Sequence, residues 1–229
     1  MTTDELIYHF EQLVLDRRKT LIDSLVQFRT RYITVVLEDI FQPQNASAVL
    51  RTCDCFGIQD VHIIENRNKY RINPDVALGA NKWLTLIKYN KLQNNSLEVI
   101  NLLKDKGYRI VATTPHSNDT NLEDYDLNKG KTAFVFGTEL RGLSEDIINN
   151  ADEYIKIPMF GFTESFNISV SAAIILHHLT FNLRNSEIDW HLSADEIKEV
   201  KLAWLRKSVK NAQLIEKEFL KKKLNINNS

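Results

Sequence analysis

The first stretch along the chain with polar side chains that could act on a ligand is QNASAVLR, which follows a predicted strand. Asn45 suits the N-cap of a helix over residues 46–56, because its side chain can accept a hydrogen bond from the first turn. Val49 belongs to the apolar stripe of this helix, and Arg51 lies about 200° round from it at roughly 100° per residue. Arg51 therefore faces away from the core, either as a solvated side chain or as part of a working site.

A second candidate is the stretch FVFGTELRGLSEDI, in which a predicted strand ends at Gly137. A short loop with Glu139 at its middle and Gly142 near its end leads to a helix capped by Ser144. The two glycines permit close backbone approach, and the Glu139 carboxylate could accept hydrogen bonds from a ligand or brace the loop. Taken alone, this stretch fits an ordinary turn as well as a site.

The third candidate is the stretch IKIPMFGFTESFNISVSAA, where a predicted strand ends at Pro158. The loop that follows contains Phe162 and Phe166 before Asn167 caps the next helix. Apolar side chains are unusual in a loop at a strand end unless they line a pocket or an interface. An adenine-sized ligand and an oligomer interface both fit such walls.

The elements that position these loops alternate between strand and helix through the middle of the chain. This alternation predicts an α/β fold with a mostly parallel sheet and helices on both faces. Ligands bind such sheets at the carboxyl ends of the strands. Chemistry is therefore expected in the loops after Asp39, Thr113, Phe136 and Ile157.

The ends of the chain read as helical additions to this α/β core. We predict a helical extension over residues 1–31, the α/β domain over 32–188 and a second helical extension over 189–229. Apolar spacing predicts the individual helices. They cover residues 3–15, 17–28, 46–56, 95–106, a segment from about 144, 167–184 and 193–223.

Several common classes of site are absent from the sequence. There is no G-x-G-x-x-G after the first strand, no G-x-x-x-x-G-K-[ST] and no G-x-S-x-G, which argues against dinucleotide, P-loop and serine hydrolase sites. Adjacent His177 and His178 cannot face one ion from a helix, and we predict no metal. No apolar run approaches the roughly 18 residues that span a bilayer, and no secretory signal is visible. With Cys53 and Cys55 read as reduced thiols, we predict a cytoplasmic protein without membrane contact.

Charge is distributed unevenly although the chain as a whole carries a net charge of -1. Residues 17–31 hold five basic side chains against one acidic, and residues 191–229 hold nine against five. Basic ends that flank an acidic middle suit phosphate contacts, but a pair of solvated helices explains the same pattern.

Taken in order, the three stretches resemble the motifs of the SpoU/TrmH branch of the SPOUT class of methyltransferases. NASAVLR resembles the first motif, and FGTELRGL is similar to the second, a G-x-E-x-x-G-L pattern. IPMFGFTESFNISVSAA resembles the third, an I-P-M loop followed by S-L-N-V-S, here with Phe166 and Ile168 in place of leucine and valine. The resemblance covers roughly residues 30–185.

The resemblance implies a C-terminal trefoil knot, an exception to the rule against knots, and an obligate homodimer. It implies methylation of a ribose 2'-hydroxyl in RNA, first of all guanosine 18 in the D-loop of tRNA, with S-adenosyl-L-methionine as the methyl donor. Alternatives within the class are ribosomal RNA and other tRNA positions. An alternative of another class is a non-catalytic RNA-binding dimer, against which the joint presence of Asn45, Arg51, Glu139 and Asn167 argues.

Site roles follow from the resemblance by position. Arg51 would be the catalytic arginine, assisted by Asn45 and Glu139, with Ser165 and Asn167 supporting the site. The cofactor would contact Thr113, Gly137, Thr138, Glu139, Ile157, Met159 and Phe166. For RNA, the candidates at the basic ends are Arg17, Arg18, Lys19, Arg29, Arg31, Lys221, Lys222 and Lys223.

Overall fold

Strands and helices alternate along the chain as its apolar pattern predicts. The computed structural model describes residues 2–115, 119–138 and 141–226, with side chains up to Lys222. The strands are β1 (Ile33–Glu38), β2 (Asp60–Ile64), β3 (Thr85–Tyr89), β4 (Arg109–Thr113), β5 (Thr120–Asn121), β6 (Thr132–Phe136) and β7 (Glu153–Lys156). The helices are α1 (Thr3–Glu11), α2 (Asp16–Val26), α3 (Pro43–Cys55), α4 (Pro74–Ala77), α5 (Ser96–Asp105), α6 (Glu145–Asn150), α7 (Ile168–Arg184), α8 (Ala194–Ser208) and α9 (Ala212–Ile226).

Within the described residues the strands form one seven-stranded sheet in the order β3-β2-β1-β6-β4-β7-β5. Each strand pairs with its neighbours in parallel, so the predicted mostly parallel sheet is confirmed. All carboxyl ends of the strands therefore lie at one edge. Because β6, β4 and β7 are neighbours, the segments that follow them meet there.

Alternation of side chains along the central strands divides the core between the two faces of the sheet. On β1, Val35 and Leu37 join one apolar cluster together with residues of α3 and α7. Val36, between them, joins a second cluster with residues of α5 and α6. The prediction of helices on both faces is confirmed, and the continuous burial of β1 is typical of a central parallel strand.

The chain divides into two compact units, one of residues 30–190 and one of residues 1–29 together with 191–229. The first unit contains the sheet. In the second, α1 and α2 pack on α8, and α9 packs on α8 as well. Lys201 of α8 makes ion pairs with Glu11 at 2.6 Å and Asp23 at 2.5 Å. The two ends of the chain thus share one unit, while the predicted division into three domains stays a prediction.

Three helix predictions are wrong in their bounds, and the first of these helices ends at Glu11 instead of residue 15. The helix that contains Arg51 begins at Pro43 with Gln42 as its N-cap residue, so Asn45 lies inside the first turn. Proline is favoured at the first helical position because its missing N–H has no helical partner there. The single helix predicted over 193–223 is two helices, broken where Asn211 adopts a left-handed φ of 58°. In the described part of the chain, no helix combines the length and apolarity needed to cross a membrane.

A buried histidine couples the stability of the sheet to pH. His62 of β2 is buried, and its Nδ1 lies 2.9 Å from the hydroxyl of Tyr89. Burial, helped by the positive charge of Lys106, lowers the pKa of His62 to about 4. The unfolded chain binds a proton below about pH 6.5 and the folded chain does not, so this stabilisation is complete above pH 6.5 and is lost as pH falls toward 4.

Urea unfolding at pH 8 and pH 5 should reveal this coupling. The wild type should lose about 2 kcal/mol more of its free energy of unfolding over that interval than the His62→Gln variant, which keeps a polar partner for Tyr89. Equal pH dependence of the two proteins would contradict the assignment.

Candidate functional site

A cavity of about 600 Å³ opens at the carboxyl edge of the sheet. Its walls are the segments that follow the adjacent strands β4, β6 and β7, closed by the first turns of α7. The position is the one expected for a ligand site in a parallel sheet. The loops that the sequence analysis singled out after Thr113, Phe136 and Ile157 therefore converge on one volume.

The predicted cofactor contacts come together here. Phe166, Ser165 and Asn167 line the cavity from the loop after β7. Glu139 lies outside the described residues. The other lining residues among the predicted contacts are Thr113, Gly137, Thr138, Ile157 and Met159. The geometry thus brings these side chains together, and their contact with a cofactor stays a prediction.

The loop after β6 is tightly folded against itself. Thr138 and Gly142 exchange two backbone hydrogen bonds, both of 3.0 Å, and Gly142 has a φ of 67° that favours glycine. Gly137 lies so close to this turn that a Cβ added to it would overlap the backbone of Gly142 and Leu143. The glycine at residue 137 is therefore required by close backbone approach.

A buried carboxylate, which the sequence analysis missed, holds this loop in place. Glu38, at the end of β1, accepts hydrogen bonds from the Ser144 backbone N–H at 2.8 Å and from its Oγ at 2.6 Å. It also accepts from the Oγ of Ser96 at 2.5 Å. Ser144 caps α6 as predicted, accepting a hydrogen bond from the N–H of Ile147. No sequence signal separates Glu38 from a solvated strand-end glutamate, because its partners lie 58 and 106 residues away.

The two motif asparagines are joined directly. Asn167 caps α7, as predicted, by accepting a hydrogen bond from the Ser169 N–H at 2.8 Å. Its Nδ2 donates to the Oδ1 of Asn45 at 3.2 Å. Asn45 is buried and, instead of capping α3, connects the first motif to the rim of the cavity. This contact fixes the start of α3 relative to the start of α7.

Arg51 is exposed on α3 and is not part of the cavity lining. Its side chain has no hydrogen bond or ion pair with the part of the chain that the structure describes. The residue lies about one and two-thirds helical turns beyond Asn45, on a helix bonded to the cavity rim. The guanidinium is therefore available to a ligand that approaches α3 from solvent.

The predicted RNA contacts divide into two groups. Arg29 is 5% exposed with its guanidinium 4.9 Å from the ring centre of Trp204, and Arg31 makes a 3.0 Å ion pair with Asp60. Both side chains are engaged within their own units, and their contact with RNA stays a prediction. Lys19 pairs with Glu11 at 3.2 Å. The exposed candidates are Arg17, Arg18, Lys221 and Lys222, and the Lys223 side chain lies outside the described residues.

Further cavity residues were not predicted. Thr114 and Pro115 line the cavity directly after β4, and the rule that locates sites at strand ends could have found them. Arg141 lines it from the loop after β6. Ile148 and Ile175 line it from helices, where only three-dimensional packing distinguishes a cavity wall from a core position. Among the described residues, no group of three His, Cys, Asp or Glu side chains is placed to hold a metal ion.

The parallel sheet carries a cavity at its carboxyl edge that is lined by the second and third motifs, with the first motif bonded to its rim, and this defines an α/β protein with a strand-end ligand site. Residues 32–177 match the model of the SpoU rRNA Methylase family, and the chain belongs to this family.

Relatives of known function extend this assignment. The chain is 47% identical over 205 residues to a tRNA (guanosine(18)-2'-O)-methyltransferase of Borreliella burgdorferi, covering 90% of this chain and 92% of that protein. It is 34% identical over 161 residues to the enzyme of the same name from Thermus thermophilus, covering 70% and 80% of the two chains. The crystal structure of an Aquifex aeolicus TrmH/SpoU tRNA modifying enzyme superposes with a TM-score of 0.77 at 29% identity, covering 87% of this chain and 100% of that chain.

Proposed function

We propose that this protein methylates the 2'-hydroxyl of guanosine 18 in the D-loop of tRNA, using S-adenosyl-L-methionine as methyl donor. The observation that carries the proposal is the convergence of three ordered motifs on one site, with Asn45 of the first bonded to Asn167 of the third. The relative from Borreliella burgdorferi, similar along nearly its whole length, bears this activity in its name.

The residues around the cavity fit S-adenosyl-L-methionine. Ile157, Met159 and Phe166 offer apolar surface for an adenine ring, and the hydroxyl of Thr138 and backbone groups of its loop offer polar partners. The lack of a side chain at Gly137 lets the backbone of Gly142 and Leu143 pack directly against it and so shapes this wall of the cavity. We propose that these residues and Thr113 hold the cofactor, which when bound supplies a methyl group on a positively charged sulfur. Glu139 completes the set by the family resemblance.

We assign Arg51 the role of gripping the RNA at the target nucleotide. A guanidinium keeps its charge in proteins and is therefore a poor general base. It is well suited to hold a phosphate with two parallel hydrogen bonds and to stabilise negative charge that develops on the ribose oxygen. We propose that the proton of the hydroxyl passes to a phosphate oxygen or to water.

The contact between Arg51 and the RNA is positioned by three polar side chains, those of Asn45, Asn167 and Ser165. The bond between the two asparagines holds the first turn of α3 at the cavity rim, and Arg51 projects from the same helix. Correct placement of a hydroxyl relative to its reaction partner contributes a large share of rate enhancement in displacement reactions. We propose that these side chains set that placement.

We further propose that the protein is a homodimer with the trefoil knot of its family. The loop after β7 exposes Phe160 and Phe162 almost completely, at 98% and 109%, between cavity residues Met159 and Ser165. Apolar surface of this kind beside a site supports an interface between chains. Sedimentation equilibrium should give a mass of two chains. We place the protein in the cytoplasm with its tRNA substrate, and the exposed basic ends supply general attraction to RNA.

The direct experiment is methyl transfer from labelled S-adenosyl-L-methionine to an unmodified tRNA transcript, followed by mass mapping of the labelled nucleotide. We expect one labelled product, 2'-O-methylguanosine at position 18. A transcript with 2'-deoxyguanosine at that position should take up no label, because it lacks the accepting hydroxyl.

Other outcomes would replace the proposal. Label at another tRNA position or in ribosomal RNA fragments would keep the chemistry and change the substrate. The name of the family, SpoU rRNA Methylase, makes ribosomal RNA the first alternative to examine. Binding of RNA without methyl transfer would favour a non-catalytic RNA-binding dimer.

A further inference from the structure

A strongly basic loop follows β2 and took no part in the site described so far. The segment of residues 66–73, NRNKYRIN, carries three cations and no acidic residue. We call this segment the basic loop. Arg67, Lys69 and Arg71 are all exposed, and within the described residues none of their side chains makes a hydrogen bond or an ion pair. Three unneutralised charges at alternate positions are a concentrated local field in a chain with a net charge of -1.

The backbone of the basic loop is held in place. Asp39, which follows β1 with a left-handed φ of 52°, accepts hydrogen bonds through Oδ1 from the N–H groups of Asn66, Arg67 and Asn68 at 2.7, 2.8 and 3.3 Å. Glu65 accepts from the N–H of Tyr70 at 3.0 Å. The carboxylates of Asp39 and Glu65 are thus bonded to the backbone of the loop, and its three exposed cations project from an ordered support.

The same loop is attached to the helix that carries the motif arginine. The Asn73 N–H at its end donates to the Oγ of Ser47 at 2.8 Å. Ser47 and Arg51 are four residues apart on α3 and therefore neighbours on one side of it. β1 and β2 are adjacent parallel strands, so the basic loop and the start of α3 lie at the same edge of the sheet. The exposed cations of the loop and the exposed Arg51 therefore lie on segments joined by a hydrogen bond, and we treat them as one surface.

The chemistry of this surface selects a ligand with several phosphate groups. Arg and Lys side chains bind phosphate strongly, and neutralising successive phosphates of a nucleic acid releases condensed counterions. Spacing of the cations over several residues suits a chain of phosphates better than a single anion. An RNA whose target ribose reaches Arg51 must pass its neighbouring phosphates across adjacent surface.

We propose that the basic loop is an RNA-binding element, in which Arg67, Lys69 and Arg71 contact backbone phosphates that flank the methylated nucleotide. The inference rests on the proposed function, since it assumes RNA as the substrate. It gives the unit that contains the sheet its own RNA contact surface, in addition to the basic ends of the chain.

The test is the triple variant Arg67→Gln/Lys69→Gln/Arg71→Gln, with binding of unmodified tRNA measured between 50 and 200 mM salt. The dissociation constant near 150 mM salt should rise roughly tenfold or more, and the slope of log affinity against log salt should become shallower by about 2 to 3, one per lost phosphate contact. S-adenosyl-L-methionine affinity and thermal stability should be unchanged, because the three side chains are exposed and are not part of the cavity lining.

A matched control removes the same charge from the opposite edge of the sheet. Lys106→Gln/Lys129→Gln/Lys131→Gln changes three exposed lysines that precede β4 and β6. Its tRNA affinity should stay within about twofold of wild type, because charges beyond a Debye length are screened. An equal loss of tRNA affinity in both triple variants would mean that net charge alone explains the effect, and it would overturn the proposal.

An unchanged salt slope in the basic-loop variant would also overturn it. If the wild type methylates tRNA while the basic-loop variant binds it normally, only this inference fails. If the wild type methylates no RNA but binds tRNA through the basic loop with the expected slope, the proposed function fails and the binding element stands.

Discussion

Replacing Arg51 by lysine is expected to lower the turnover number for tRNA methylation by about 10²- to 10³-fold, the loss typical of removing a transition-state hydrogen bond donor. Lysine keeps the positive charge but loses the planar pair of donors that can hold a phosphate from two sides. S-adenosyl-L-methionine should bind as in the wild type, because Arg51 does not line the cavity. Single-turnover methyl transfer at saturating tRNA, together with cofactor titration, measures both quantities.

A second arginine provides the control for this substitution. Arg206 of α8 makes a bidentate ion pair with Glu216, at 2.8 and 2.6 Å, in the helical unit. Arg206→Lys should reduce stability by about 1 kcal/mol or less and leave turnover unchanged. Near-wild-type turnover in Arg51→Lys would show that a point charge is enough and would refute the bidentate grip.

Gly137→Ala is expected to weaken S-adenosyl-L-methionine binding by about 100-fold or more and to lower the unfolding temperature. Overpacking of a tight contact costs about 1–3 kcal/mol even where side chains can adjust. Here the added Cβ would meet backbone of Gly142 and Leu143, which cannot move independently. The turn is closed by the Thr138–Gly142 hydrogen bonds and anchored through Ser144, so relief of the overlap must displace the cavity wall.

The neighbouring motif offers a matched glycine. Gly161 lies in the exposed loop after β7, and a Cβ added there meets no atom within 4 Å. Gly161→Ala should therefore lose much less cofactor affinity and thermal stability than Gly137→Ala, because the added Cβ overlaps no atom of the chain. Calorimetric titration and thermal unfolding of both variants test the pair. Wild-type affinity in Gly137→Ala would mean that the loop after β6 does not form the cofactor site.

These variants address different parts of one arrangement. Substitution of Gly137 tests whether the loop after β6 forms a wall of the cofactor site. Substitution of Arg51 tests the contact with the reacting nucleotide, and substitution of the basic loop tests where the RNA binds beyond it. Loss of cofactor binding, of turnover and of salt-dependent affinity are separable readouts. Each contribution can therefore be assigned without assuming the others.

Regular apolar patterns allowed much of the sheet to be predicted. Runs such as ITVVLED and TAFVFG are rich in β-branched and apolar side chains that fit a strand buried on both faces, and the structure places β1 and β6 side by side at the centre. Helix ends were less determinate. Asparagine is favoured as an N-cap residue, which predicted a helix start after Asn45. Proline is favoured at the first helical position, and the helix in fact begins at Pro43.

The sequence by itself determined the alternation of elements, the three motif loops and, through the residues of those loops, the family to which the chain belongs. It could do so because strand burial, helix capping and glycine conformation depend on local chemistry. The tertiary structure alone decided which side chains are free to act. Glu38, Asp39 and Ser47 gained their roles from partners at least 26 residues away. Arg29 and Arg31 contact Trp204 and Asp60 while Arg17 and Arg18 are exposed, and this difference cannot be predicted from the order of residues.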